Sequence, residues 1–265
     1  MKAYDIFDGE RETAIGVLLY YEKDDAFILE LQDNLTEWDA PLLFASYIKR
    51  GIFTVQREES RLWVRERIIP SGRQNIKDIL DTHHLEKYEE IKFLEISGGR
   101  CSQDSMYLKK ADFLPEYVLY RQSRNLLDVI ALAGHRILCL FRNNVVKIIS
   151  LSDLEKSEDI SKILANDSLF ESCIISPGGY AASFNNSIDI PAAILYEAGL
   201  ELPVSVEDFK AIVKKNVLST AESCKLLECS RQNIAYMVSQ QQLTPLKKDD
   251  AGSLYLKGEL LQTRW

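Results

Sequence analysis

Ser219 and Ser230 are helix-capping residues set one short helix apart, and that spacing constrains the C-terminal part of the chain more than any other feature. Ser219 or Thr220 can accept from the free amides at a helix start. Glu222 follows Ser219 at the third position, as a reciprocal capping box requires. A first short helix is expected, with Ala221, Cys224, Leu226 and Leu227 as its apolar face. Glu228-Cys229 makes a tight corner, and Ser230 opens a second helix over residues 231–240 with Ile234, Met237 and Val238 facing inward. Residues 243–247 and 254–257 predict two short strands around Asp249-Asp250-Ala251-Gly252, a hairpin wing.

This layout leaves Arg231, Gln232, Asn233 and Tyr236 near the exposed N-terminal half of the second helix. Arg can fork onto guanine and Gln or Asn can pair with adenine, and the first turns of such a helix are what enter a major groove. Lys247 and Lys248 are placed to touch phosphate. The segment resembles the winged helix-turn-helix of the MerR and excisionase-like families, in which a pattern TAExAKLLGVSRQxIxxLVxxGxLxPxK recurs. Cys229 stands where a small apolar turn residue is usual. Gln241-Gln242 replaces the common Lys-Gly, which predicts a less tightly turned wing entry. The resemblance implies duplex DNA, an operator, as partner. Charge argues the other way: residues 217–265 carry six Lys/Arg against five Asp/Glu, whereas phosphate binding draws on local positive charge. A helical tail that docks protein is the alternative.

The 265 residues have room for two or three modest domains. A net charge of −8 argues against wrapping nucleic acid over the whole surface, so DNA contact must be local, aided by a homodimer or a partner. No apolar run approaches the roughly 20 residues of a membrane span, and Met1-Lys2-Ala3-Tyr4-Asp5 lacks the pattern of a signal peptide. The five cysteines, Cys101, Cys139, Cys173, Cys224 and Cys229, are odd in number and scattered. They suit a reducing cytosol and argue against a disulfide framework. Cys224 and Cys229 come closest to ligand spacing but have no second Cys/His pair, so packing is favoured over zinc.

From Asn125 the pattern turns to short strands. Residues 135–141 and 145–150 flank Arg142-Asn143-Asn144 as a β-hairpin. A helix is expected over residues 157–165. Strands at 173–176 and 180–184 pair around Pro177-Gly178-Gly179, and Asn185-Asn186-Ser187 turns into a strand at 188–190. A closing helix over 191–198 ends at Gly199, with Asp189 as its cap. This order, with Phe170, Gly179, Asn186, Asp189, Leu195 and Tyr196, is similar to a small α+β family of unknown function found in antitoxins and beside toxin genes.

The N-terminal third predicts a strand pair at residues 14–21 and 26–31, an apolar stretch at Pro41-Leu42-Leu43 and a charge-rich helical half. Arg67-Ile68-Ile69-Pro70-Ser71-Gly72-Arg73 and Gly98-Gly99-Arg100-Cys101-Ser102-Gln103-Asp104 resemble, in kind and separation, two elements of the N-terminal subdomain of HipA-type kinases. Arg67 stands where that family has Asn, and no Gly-Ala follows Cys101. The resemblance implies a partner-binding domain, known free-standing as an antitoxin of its kinase. No room remains for a kinase lobe, so no catalytic turnover is expected.

Other constellations are weaker. His83-His84 cannot chelate on one helix face and are expected at a solvated helix end. The Gly98 to Asp104 turn is a candidate anion or partner contact, with Arg73, Arg100 and Gln103. Arg57, Arg61, Arg65 and Arg67 alternate with acids as a salt-bridged solvent face. The expected architecture is α+β and multidomain: a mixed N-terminal domain (1–122), a small α+β middle domain (123–203) and a C-terminal winged helix-turn-helix (204–265). The expected function is that of a cytoplasmic DNA-binding transcription regulator, an antitoxin or autorepressor of a toxin–antitoxin locus. A protein toxin would be held by the N-terminal domain, and no cofactor or metal is needed.

Overall fold

Strands buried on both faces have no polar face to show, so they read as unbroken apolar runs. Two such runs begin the chain in the computed structural model, which describes residues 1–39, 44–250 and 252–263. The stretch Pro41-Leu42-Leu43 lies outside the described residues, as does Ala251. After β1 (Lys2–Asp8) come β2 (Thr13–Tyr21) and β3 (Ala26–Leu31), the expected pair. There follow α1 (Ala45–Lys49), β4 (Thr54–Val55), α2 (Arg57–Arg65), α3 (Ile76–Thr82), α4 (Glu90–Ser97), β5 (Tyr107–Lys110) and α5 (Glu116–Ser123). The five strands form one antiparallel sheet in the order β4-β3-β2-β1-β5. One face packs Ile6, Leu18, Phe27 and Leu29 against Trp63 of α2 and Leu94 of α4. The other packs Val17, Leu19 and Ile28 against Val118 of α5 and against Tyr180, far along the chain. Ser60 of α2 is fully buried; its hydroxyl accepts from the Leu29 amide at 3.0 Å and donates to the Val55 carbonyl at 2.9 Å, stitching helix to sheet.

The chain continues through β6 (Leu126–Leu132), β7 (Arg136–Phe141) and β8 (Val146–Ser150), then α6 (Glu158–Leu164), α7 (Asp167–Glu171), β9 (Ile174–Ile175), β10 (Ala181–Phe184), β11 (Ile188–Pro191), α8 (Ala192–Ala198) and β12 (Leu200–Glu201). The expected hairpin is β7 and β8, with Asn144 at φ +70° in its turn. Ser157 caps α6 by accepting from the Ile160 amide at 3.1 Å. β9, β10 and β11 form the expected small sheet. Gly179, at φ +73°, lies so close to the Leu126 carbonyl that a Cβ there would sit 2.1 Å from its oxygen.

Contacts divide the molecule into two compact units, Met1–Asn143 with Lys147–Leu200, and Asn144–Val146 with Glu201–Trp265. Residues 1–122 and most of 123–203, expected as separate domains, therefore share one unit. Tyr180 explains why, since it completes the second core face, and the Gln122 amide donates to its hydroxyl at 3.1 Å. The fold is mixed α+β with several small sheets. Among the described residues no helix is long and apolar enough to cross a membrane.

Two expectations about charge are corrected here. Asp189 does not cap α8, whose first residues follow Pro191 with no side-chain cap. It pairs instead with Arg57 of α2, at 2.7 Å from Nε, and that guanidinium also donates to the Asn186 carbonyl at 2.9 Å. The arginine run is not a solvent face throughout: Arg65 is exposed and Arg61 half-buried where they reach Glu90, but the Arg57 side chain is 13% exposed and that of Arg67 only 2%. A fully buried Glu30 on β3 was not foreseen either. Its Oε2 accepts from Arg121 of α5 at 2.7 Å and from Thr54 at 2.8 Å. Burial pushes this carboxyl above its usual range, against the pull of Arg121.

Candidate nucleic-acid interface

The C-terminal unit is built from short, well-capped pieces: α9 (Val206–Asn216), β13 (Val217–Ser219), α10 (Thr220–Leu227), α11 (Arg231–Ser239), β14 (Lys247–Asp249), β15 (Gly252–Leu256) and α12 (Lys257–Gln262). Two capping boxes start α9 and α10. In the second, the Glu222 amide donates to Ser219 Oγ at 3.3 Å, and Glu222 Oε2 accepts from the Ser219 amide at 2.8 Å. The Ser219 amide, together with the Ser219 hydroxyl donating to the same oxygen at 2.7 Å, holds the Glu222 carboxyl below its usual range. α10 ends at Glu228, which adopts φ +53°, and Ser230 caps α11 by accepting from the Asn233 amide at 3.2 Å.

One small core holds the pieces. Ile234, Leu243, Tyr255 and Leu260 are buried, with Cys224, Leu226, Leu227, Cys229, Met237 and Val238 packed around them. On α10 the expected apolar face needs one change. Ala221 is exposed, and Ser223 is buried in its place, its hydroxyl donating to the Ser219 carbonyl at 2.8 Å so that the polar atom stays satisfied.

On α11 the buried stripe through Ile234 and Met237 leaves Arg231, Gln232, Asn233 and Tyr236 exposed. Gln232 and Tyr236 lie one turn apart on the same stripe, with Arg231 and Ala235 beside them. α11 also ends in a left-handed turn, Gln241 at φ +58° with the Gln242 amide donating to the Met237 carbonyl at 2.9 Å. The entry to the wing is therefore as tight as a glycine would make it.

The wing strands lie later and earlier than expected. β14 starts at Lys247, because Leu243 is drawn into the core and Pro245 has no amide to give a ladder. β15 ends at Leu256, where α12, not foreseen, begins. The spacing of Leu256, Leu260 and Leu261 with Glu259 between them was the available signal. β13 pairs with β15 on its other side, giving a three-stranded sheet in the order β13-β15-β14. Lys247 and Lys248 are exposed on β14, and Lys247 lies 3.8 Å from Asp249.

The turn at Gly98 to Asp104 begins as the end of a helix. The amides of Gly98, Gly99 and Arg100 donate to the carbonyls of Glu95, Leu94 and Ser97, which closes α4 and occupies these three donors. Asp104 instead takes both ends of the Arg67 guanidinium, at 3.1 and 2.5 Å, while Arg67 lies 4.0 Å over the Trp63 ring. Arg100 lies over Tyr107, and Arg73 and Gln103 are exposed. His83 and His84 follow the end of α3 in exposed positions, His84 at φ +53°.

No family model, no curated protein and no solved structure matches the chain.

Proposed function

We propose that the chain is a DNA-binding transcription regulator whose C-terminal unit is a winged helix-turn-helix. The observation that carries this reading is the face of α11: Arg231, Gln232, Asn233 and Tyr236 are all exposed on the opening turns of a helix seated on its own core. Such side chains have the donors and acceptors that base edges in a major groove require. Lys247 and Lys248 supply phosphate contacts from the wing. With so few cations the salt dependence is shallow and a single unit binds weakly, so the working species is a homodimer or a complex with a protein partner. The first unit takes that partner and performs no catalytic turnover. The resemblances of residues 67–104 and 170–196 support an autorepressor or antitoxin of a toxin–antitoxin locus, with the toxin as partner.

The test is an anisotropy titration of full-length protein with DNA from its own promoter at low salt. The reading expects saturable binding that competitor DNA of unrelated sequence does not abolish. Binding no tighter than to unrelated DNA favours the second reading, a protein-docking adaptor. What favours that alternative is charge: Asp249 and Asp250 sit beside the two wing lysines, and residues 217–265 are nearly neutral.

A further inference from the structure

The corner between α10 and α11 holds two thiols that base reading does not use. The Cys229 amide donates to the Cys224 carbonyl at 3.0 Å, across the left-handed Glu228. That hydrogen bond and that residue together make a Schellman ending, a motif in which a contact between the side chains at the two ends of the bond is frequent. Here both ends are cysteines, each partly buried and packed against the same core. An amide nitrogen lies about 1.5 Å from its own α-carbon and a carbonyl oxygen about 2.4 Å from its own. A 3.0 Å bond therefore keeps the two α-carbons within about 7 Å, the limit for a disulfide.

We propose that Cys224 and Cys229 form a reversible intramolecular disulfide that switches the helix pair, with a small-molecule disulfide as oxidant. One cysteine thiolate attacks a sulfur of the small disulfide, giving a mixed disulfide and one released small thiolate. The second cysteine thiolate attacks the protein sulfur of that mixed disulfide and expels the other small thiolate. The protein loses two electrons and two protons, which the small disulfide gains as two thiols. The remaining cysteines are poor competitors. Cys139 is fully buried with its thiol pushed up by burial, burial pushes the Cys173 thiol up to about 12, and Cys101 belongs with them to the other unit.

Closing the bond fixes the two sulfurs about 2 Å apart. Ser230, the cap that aims α11, is the next residue after Cys229, so the face bearing Arg231 and Asn233 moves with it. This consequence rests on the proposed reading of DNA. The loss of one base-edge pair is worth about tenfold or more in affinity.

The experiment treats full-length protein with oxidised glutathione, alkylates the remaining thiols and maps the peptides. The expected product is a Cys224–Cys229 link that dithiothreitol reverses, with promoter binding about tenfold weaker while the link is closed. Cys224→Ala and Cys229→Ser, made separately, should each bind DNA and lose the response to oxidant. Glutathione adducts without a link, or a link through any other cysteine, overturn the proposal. A link that leaves DNA affinity unchanged overturns the switch. A link that forms while neither state binds DNA upholds the thiol pair and removes the DNA reading instead.

Discussion

Arg231 and Lys247 are cations on the same small unit, yet their loss should be felt differently. Arg231→Ala or Asn233→Ala should cost about 1–3 kcal/mol at the preferred site and relax base choice there. Lys247→Ala or Lys248→Ala should weaken all sequences alike and flatten the salt dependence. Titrations against a set of single-base operator variants check this, and equal behaviour of the two classes would remove the assigned roles. Glu222 allows a pH test. Its carboxyl is held below the usual range by the Ser219 amide and hydroxyl, so its folded pKa is depressed. The stability it contributes is present above the ordinary glutamate range and is lost as pH falls through that depressed value. Amide-exchange protection relative to the intrinsic rate at Ser219 and along α10 should fall on acidification, and Glu222→Gln should remove that pH dependence. These caps were legible in the sequence because donor and acceptor lie three residues apart. The burial of Ser223 was not, since a serine gives no apolar signal.

Between elements, the corner after α10 and the junction of α2 with the β10–β11 hairpin are the informative joints. Glu228 pays for its left-handed backbone, which glycine adopts freely, at about 1 kcal/mol. Glu228→Gly should therefore raise the melting midpoint of the C-terminal unit. Arg57 and Asp189 are 132 residues apart and both nearly buried. Arg57→Met should cost about 3 kcal/mol by leaving Asp189 unpaired, and Asp189→Asn in that background should recover part of it. Urea denaturation of the two single variants and the double variant measures the coupling. Turn residues marked the hairpin correctly, because Asn185 and Asn186 tolerate positive φ. The same local reasoning gave Asp189 to the nearest helix, when its partner lies on a distant one.

For the whole molecule, the shared unit alters what truncation should do. Removing residues 1–120 takes away the five-stranded sheet and strips Tyr180 of Val17, Leu19 and Ile28. Residues 121–200 should then lose their cooperative unfolding transition and expose apolar surface, while the capped helices of the C-terminal unit persist. Circular dichroism melts and dye binding on the truncated chain test this, and a truncated chain whose residues 121–200 still unfold cooperatively would restore three domains. The sequence by itself determined the helix starts at Ser157, Ser219 and Ser230, the hairpin turns, and the exposed face of α11. Each depends on residues within a turn or two, where backbone donors and side-chain acceptors meet at set spacings. Only the tertiary structure decided that Arg67 closes on Asp104, Arg57 on Asp189 and Glu30 on Arg121. Only it joined the first two segments into one unit. Charges have no periodicity that names a partner, and a buried pair forms where packing brings two distant chain positions together and excludes water from both.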